Sequence, residues 1–211
     1  MRARFVFAVV IIATILSGLA IDPATAHHVM GSKLPATFVQ GALSGLGHPI
    51  IGLDHFAAVV AVGCLAAMHR SGAVLALGYV LPMVAGAALH VREASVPGAE
   101  LLVAFSVIAL GLLMVRGRGL PMAATLGLFA LTGLLHGYAL GESIVGAESA
   151  PLYAYFAGLT LIQLLIALGA MLAARMAAAV GSPELTTLRL IGAGITGIGL
   201  AALVQQLVPG A

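Results

Sequence analysis

The feature that most constrains this chain is a succession of long apolar segments that are almost free of charged side chains. Six of them are long enough to cross about 30 Å of hydrocarbon as helices. Charged residues make up only 8% of the 211 residues, against about a quarter in soluble domains, so a soluble fold and disorder are both excluded. We therefore predict an all-α, polytopic membrane helix bundle. The predicted spans are Pro49–Met68, Gly72–Leu89, Leu101–Val115, Leu120–Leu140, Leu152–Ala174 and Leu188–Val208.

A shorter apolar stretch, Leu34–Gly47, precedes the first predicted span. Pro49 and Gly52 interrupt helix geometry where the two segments meet. We therefore interpret the stretch either as a re-entrant segment or as the outer extension of the first span.

The first 26 residues have the organisation of a secretory signal peptide. Two arginines precede an apolar stretch that runs from Phe5 to about Ile21, and the small residues Ala24 and Ala26 provide a cleavage site. We predict that residues 1–26 are a cleavable signal peptide and that residues 27–211 form a single transmembrane domain. An uncleaved anchor is the alternative, because the apolar stretch is slightly long for a signal peptide.

The basic residues between the spans predict the orientation of the bundle. A cleaved signal peptide would leave the mature N-terminus outside the cytoplasmic membrane of a bacterium, and six spans would return the C-terminus to the same side. Only Lys33 and Arg92 then lie outside, in agreement with the positive-inside rule. We therefore predict an inner-membrane protein with both ends of the mature chain in the periplasm. The arginines predicted on the cytoplasmic side are Arg70, Arg116, Arg118, Arg175 and Arg189.

Histidine is in excess for so apolar a chain, and six of its seven histidines are predicted at or toward the external face. The densest segment contains His48, Asp54 and His55, and the two histidines would share one face of a continuous helix. An intramembrane acid costs about 2.5–3.5 kcal/mol and usually lines a cavity or pathway. Imidazole and carboxylate together suit a borderline divalent cation such as Ni²⁺, Zn²⁺ or Co²⁺. We interpret the three residues as a metal or proton site, with interhelical hydrogen bonding as the alternative.

Further candidates lie outside this segment. His136 and Glu142 stand at the outer end of the fourth span, where two glycines permit a loosened last turn, so that both are candidates for the same site. His90 is weaker, because a neighbouring arginine disfavours a bound cation. After cleavage His27 and His28 would lie beside a free amine, which together make a chelator of Cu²⁺ or Ni²⁺; an idle terminal pair is the alternative.

These residues resemble the HupE/UreJ family of bacterial membrane proteins, which is associated with hydrogenase and urease gene clusters. The family's first signature, His-x5-Asp-His, is similar to the run from His48 to His55. Its second, His-Gly-x-Ala-His-Gly-x-Glu, resembles the run HGYALGES, in which Leu140 stands where the family often has a second histidine. The resemblance implies permease-type uptake of nickel or cobalt rather than enzymatic activity. It also implies metal contacts by His48, Asp54, His55, His136 and Glu142.

Two other function classes remain open from the residues alone. An intramembrane zinc hydrolase would hold Zn²⁺ through three histidines and an aspartate and keep one position for water. A metal-binding accessory protein would bind an ion, whether Ni²⁺, Zn²⁺, Co²⁺ or Cu²⁺, without passing it. The expected partners are the lipid bilayer and the metal ion, with a functional link to the maturation of a hydrogenase or urease. The oligomeric state stays open, and a homo-oligomer is one possibility. Nothing resembles a nucleic-acid footprint, and the absence of an ATP-binding motif favours facilitated or gradient-coupled transport.

Overall fold

The computed structural model describes residues 10–12, 14, 34–179 and 184–208, and every regular element among them is helical. The all-α prediction is therefore confirmed. Most of the predicted signal peptide, together with His27 and His28, lies outside the described residues. The α-helices described from residue 34 onward are α1 (Phe38–Ile51), α2 (Leu53–Ala66), α3 (Gly72–Val91), α4 (Ala99–Arg116), α5 (Met122–Gly141), α6 (Ser149–Ala179) and α7 (Glu184–Leu207), with a 3₁₀ turn at Glu142–Ile144 after α5.

The helices have the length and surface of membrane spans. Each of α3 to α7 is long and apolar enough to cross a bilayer, and α1 and α2 together make a sixth span if the bent pair is counted as one. Their outward side chains are apolar: Phe105, Leu131 and Leu165 are each more than half exposed, at 54%, 56% and 57%. Such residues would be costly against water but are suited to lipid, so the predicted membrane bundle of about six spans is confirmed.

The first span differs from its prediction, because Pro49–Met68 is not one helix. The chain bends by 79° between α1 and α2, at Gly52, whose φ of −70° and ψ of 100° are extended. Pro49 lacks the backbone N–H that would continue the helical hydrogen-bond ladder in the last turn of α1. The stretch Leu34–Gly47 thus supplies most of α1, and the two histidines that flank the bend lie on separate helices.

Glycines bring α3 and α5 into direct backbone contact. A Cβ at Gly133 would collide with the backbone of Tyr79, and one at Gly137 would collide with the backbone of Met83. The two contact positions advance together along both helices, so α3 and α5 run parallel. Such close approach is the usual function of small residues between membrane helices.

Two further pairs complete the bundle. Gly45 of α1 meets Tyr155, and Gly63 of α2 meets Ala167, so the chain through α1 and α2 advances along α6 in the same direction as α6 itself. Contacts between α4 and α7 run in the opposite order, so these helices are antiparallel. Six spans that alternate in direction give this pattern if α1 and α2 count as one span. The first and fifth spans then run in the same direction, as do the second and fourth, whereas the third and sixth run in opposite directions.

Candidate metal centre

Three buried histidines meet at the bend in the first span. His48 lies in the last turn of α1, His55 in the first turn of α2 and His136 in α5; their exposed fractions are 3%, 1% and 0%. The ring centroids of His48 and His55 are 6.4 Å apart, and those of His55 and His136 are 5.0 Å apart. The bend brings the first two imidazoles together although they do not share one helix, and we call the three residues the histidine cluster.

A chain of hydrogen bonds runs from the cluster into α4. Nδ1 of His55 lies 2.8 Å from Nδ1 of His136, and Nε2 of His136 lies 2.8 Å from the Ser106 hydroxyl oxygen. The Ser106 hydroxyl in turn donates to the carbonyl of Val103 at 2.7 Å. All three side chains are buried, so His55 and His136 are held by contacts that water does not interrupt.

A second set of hydrogen bonds anchors His48. Its Nδ1 lies 3.0 Å from the Ser143 hydroxyl oxygen. The hydroxyls of Ser143 and Tyr155 are 3.1 Å apart, and Tyr155 donates to the carbonyl of Leu140 at 2.6 Å. The end of α5 and the start of α6 therefore fix the position of the His48 ring.

Asp54 lies at the start of α2 and faces the same region. One carboxylate oxygen accepts a hydrogen bond from the backbone N–H of His55 at 2.8 Å, a favourable position for an acid because backbone N–H groups are unpaired there. The side chain is half-buried and lies within electrostatic range of Tyr79 and His136. Asp54 thus places a negative charge beside the histidine cluster.

Glu142 lies apart from this arrangement. It is exposed at the first position of the 3₁₀ turn. Counted from His136, Ser143 rather than Glu142 occupies the last position of the second signature, where the pattern has glutamate. It is this serine that reaches His48.

His90 also lies outside the cluster. Its Nδ1 donates to the carbonyl of Tyr138 at 2.7 Å, and the two rings stack with centroids 4.3 Å apart. His90 therefore belongs to the interface between α3 and α5. Within the described part of the chain, no three side chains of the metal-ligating types are grouped closely enough to enclose an ion.

Sequence reasoning missed the hydroxyl groups that hold the imidazoles. Ser106, Ser143 and Tyr155 come from three different elements. Ser106 was detectable in principle, because it is the one uncharged polar side chain in the run Ala99–Arg116. The other two stand near chain turns, where polar residues are ordinary and carry no comparable signal.

Comparisons with known proteins agree with these features. A family model described as HupE / UreJ protein matches residues 13–202. A curated relative, Protein HupE of Rhizobium leguminosarum bv. viciae, is 32% identical over 161 residues, which cover 75% of this chain and 81% of the relative. No solved structure matches the chain.

Proposed function

The chain belongs to the HupE/UreJ family, and from that premise we propose that it is an inner-membrane permease for a divalent transition-metal ion, nickel or cobalt. The observation that carries the proposal is the buried histidine cluster beside Asp54 at a bend in a membrane helix. Ionisable and polar side chains within membrane spans are costly, so they usually mark an ion pathway. Family membership also sets aside the hydrolase alternative, because these proteins are accessory or transport proteins rather than enzymes.

The proposed metal site consists of His48, Asp54 and His55, with His136 completing the cluster. Neutral imidazole nitrogens suit nickel, cobalt and zinc, and one carboxylate offsets part of the ion's charge. Glu142, exposed at the same end of the bundle, would attract the ion to the mouth rather than hold it. In the present conformation the described side chains do not form a closed set of three or more ligands, so binding would require them to move toward the ion.

Polar groups deeper in the bundle favour passage of the ion over static binding. The hydroxyl of Tyr79 and both amide atoms of Gln163 are buried and have no hydrogen-bond partner among the described residues. Each such group costs about 1–3 kcal/mol unless water or an ion pairs with it. A pathway that admits water or a hydrated ion would satisfy them.

A row of buried side chains on the inner face of α5 marks the route that we propose for the ion. Thr125, Phe129, Thr132 and His136 are buried and follow one another at helical spacing on one face. Thr125 and Phe129 also line a small, partly open pocket at the opposite end of the bundle, with a cavity volume of about 10 Å³. We propose that the ion moves along this face and that the buried Phe129 ring closes the path in the present conformation.

Transport into proteoliposomes tests the proposal. Protein would be reconstituted around a Ni²⁺-sensitive dye, and uptake would be compared for wild type, His55→Ala and Asp54→Asn. We expect each variant to lose about tenfold or more in uptake at limiting Ni²⁺, the loss typical of disrupted metal sites. His90→Asn is the matched control, since it changes a histidine outside the cluster and retains a donor for the Tyr138 carbonyl.

Two outcomes would contradict the permease. If His55→Ala and Asp54→Asn both take up Ni²⁺ at the wild-type rate, these residues are not the transport site. Saturable Ni²⁺ binding by wild type without flux across the membrane would favour the accessory alternative, linked to hydrogenase or urease maturation.

A further inference from the structure

The Ser106 hydroxyl determines how the proton is placed on His136. It has one proton and two close neighbours, the Val103 carbonyl at 2.7 Å and His136 Nε2 at 2.8 Å. A carbonyl oxygen can only accept, so the hydroxyl proton points to Val103. The hydroxyl oxygen then accepts from His136, whose Nε2 must carry a proton.

The position of the proton on His136 determines which nitrogen of His55 carries a proton. Both rings are buried, at 0% and 1% exposed, and a neutral imidazole carries a proton on only one nitrogen. With Nε2 protonated, His136 presents a lone pair at Nδ1, which lies 2.8 Å from Nδ1 of His55. Two lone pairs would repel at that distance, so His55 carries its proton on Nδ1 and its lone pair on Nε2.

We propose that Ser106 and His136 form a positioning relay that holds His55 with Nε2 directed to the metal ion, so that His136 is not itself a ligand. The relay has the form found behind many metal-binding histidines, where a hydrogen bond to the second nitrogen fixes tautomer and ring orientation. This inference rests on the proposed metal site. It changes the assignment of His136 from ligand to support and adds Ser106, a residue to which the family signatures give no part.

The geometry of His48 fits the same scheme. Its Nδ1 is engaged by Ser143 at 3.0 Å, so that His48 and His55 both use Nδ1 for hydrogen bonds within the protein. In this scheme two Nε2 atoms and the Asp54 carboxylate would draw together around the ion when it binds, because in the present conformation no three such side chains among the described residues are close enough to enclose it. Three protein ligands leave positions for water, as expected of an ion that must leave the site again.

Histidine variants at position 136 separate support from ligation. Asparagine places a carbonyl oxygen near the position of Nδ1, so His136→Asn retains an acceptor for His55, whereas His136→Ala does not. Ni²⁺ affinity would be measured calorimetrically on protein in detergent, and the number of imidazoles bound to nickel by X-ray absorption. We expect His136→Ala to weaken binding about tenfold and His136→Asn to recover most of that loss. The imidazole number should equal that of wild type in both variants.

Ser106 variants test the other end of the relay. We expect Ser106→Ala to weaken Ni²⁺ binding about tenfold, and Ser106→Thr, which keeps the hydroxyl, to restore it. Thr196→Ala is the control, because Thr196 of α7 is buried and its hydroxyl donates to the Gly192 carbonyl within its own helix. Nitrogen-15 spectra of histidine-labelled, metal-free protein should show His55 protonated at Nδ1 in wild type and a changed tautomer ratio in Ser106→Ala.

The outcomes are distinguishable. If both His136 variants bind nickel through one imidazole fewer than wild type, His136 is a ligand and the relay is overturned. A wild-type His55 protonated at Nε2 overturns it independently of metal. Wild-type protein that binds no Ni²⁺ overturns the proposed function, and the nitrogen-15 spectra then decide the hydrogen-bond relay alone.

Discussion

Gly52 shows how a missing side chain shapes the candidate site at the residue scale. An ideal Cβ at this position would lie 2.8 Å from Cδ2 of His55 and 3.5 Å from a carboxylate oxygen of Asp54. The first distance is shorter than real Cβ contacts, so any larger residue must displace the His55 ring. Cδ2 is bonded to Nε2, the nitrogen that we expect to face the ion. The absence of a side chain at residue 52 thus leaves room for the His55 ring.

We predict that Gly52→Ala weakens Ni²⁺ binding about tenfold without unfolding the protein. Alanine accepts the φ of −70° and ψ of 100° found there, so the damage should be confined to the displaced imidazole. Calorimetric titration and thermal unfolding of the same preparation measure the two effects separately. Gly127→Ala is the control, since a Cβ at that position has nothing within 4 Å. Equal affinities for the two variants would contradict the prediction.

The residues of the candidate site differ in how clearly the sequence alone identifies them. His48, Asp54 and His55 stand out because ionisable and polar groups are rare inside apolar runs. Ser106 and Ser143 do not, since their partners His136 and His48 lie 30 and 95 positions away in the chain. Such pairings depend on how helices pack, which no local pattern records.

At the scale of the helices, α5 depends on glycine for its contact with α3. Gly137 follows His136 directly, and its Cβ would overlap the carbonyl of Met83. The colliding atoms would be a Cβ and a backbone carbonyl, neither of which can rotate away. The collision can therefore be avoided only if the two helices move apart. That movement would also carry His136 away from its neighbours.

We predict that Gly137→Ala destabilises the protein by about 1–3 kcal/mol, the usual cost of overpacking. Gly127→Ala, on the same helix but in open space, should be neutral or slightly stabilising, because alanine is the better helix former. Thermal unfolding in detergent, followed by circular dichroism, compares the two substitutions. Similar midpoints for both variants would mean that α3 and α5 are not in backbone contact.

The helices also show where local patterns suffice and where they fail. The predicted Gly72–Leu89 and Leu101–Val115 differ from α3 and α4 by at most two residues at each end, because a run of apolar residues between loops defines a span. The prediction of the first span as a single helix was wrong, because its 79° bend depends on packing against another helix. α6 has 31 residues and is about 46 Å long, enough to pack against both α1 and α2.

At the scale of the whole molecule, the polar groups are divided between the two ends of the bundle. The histidine cluster lies toward the end where α5 finishes and α6 begins. The opposite end carries arginines: Arg175 donates to the carbonyl of His69 at 2.6 Å, and Arg189 packs beside Gly117. Because arginine favours the cytoplasmic side, we propose that the cluster faces the periplasm, consistent with the proposed removal of residues 1–26 as a signal peptide.

A pair of serine-to-cysteine substitutions tests this orientation. Ser71 and Ser95 flank α3 at opposite ends, and both are exposed. The single native cysteine, Cys64, is buried, and Cys64→Ser removes any background. We predict that a membrane-impermeant maleimide labels Ser95→Cys in intact bacterial cells and labels Ser71→Cys only in inverted membrane vesicles.

The labelling result determines what the cluster is able to do. If Ser95→Cys reacts in intact cells, the cluster lies on the side from which a scarce metal must be captured, and the route along α5 leads inward. Labelling of Ser71→Cys in intact cells, with Ser95→Cys protected, would reverse the bundle. The histidine cluster would then meet the cytoplasmic metal pool, and uptake through it would be contradicted even if the protein binds Ni²⁺ tightly. Orientation is therefore as decisive for the proposed permease as the identity of the ligands.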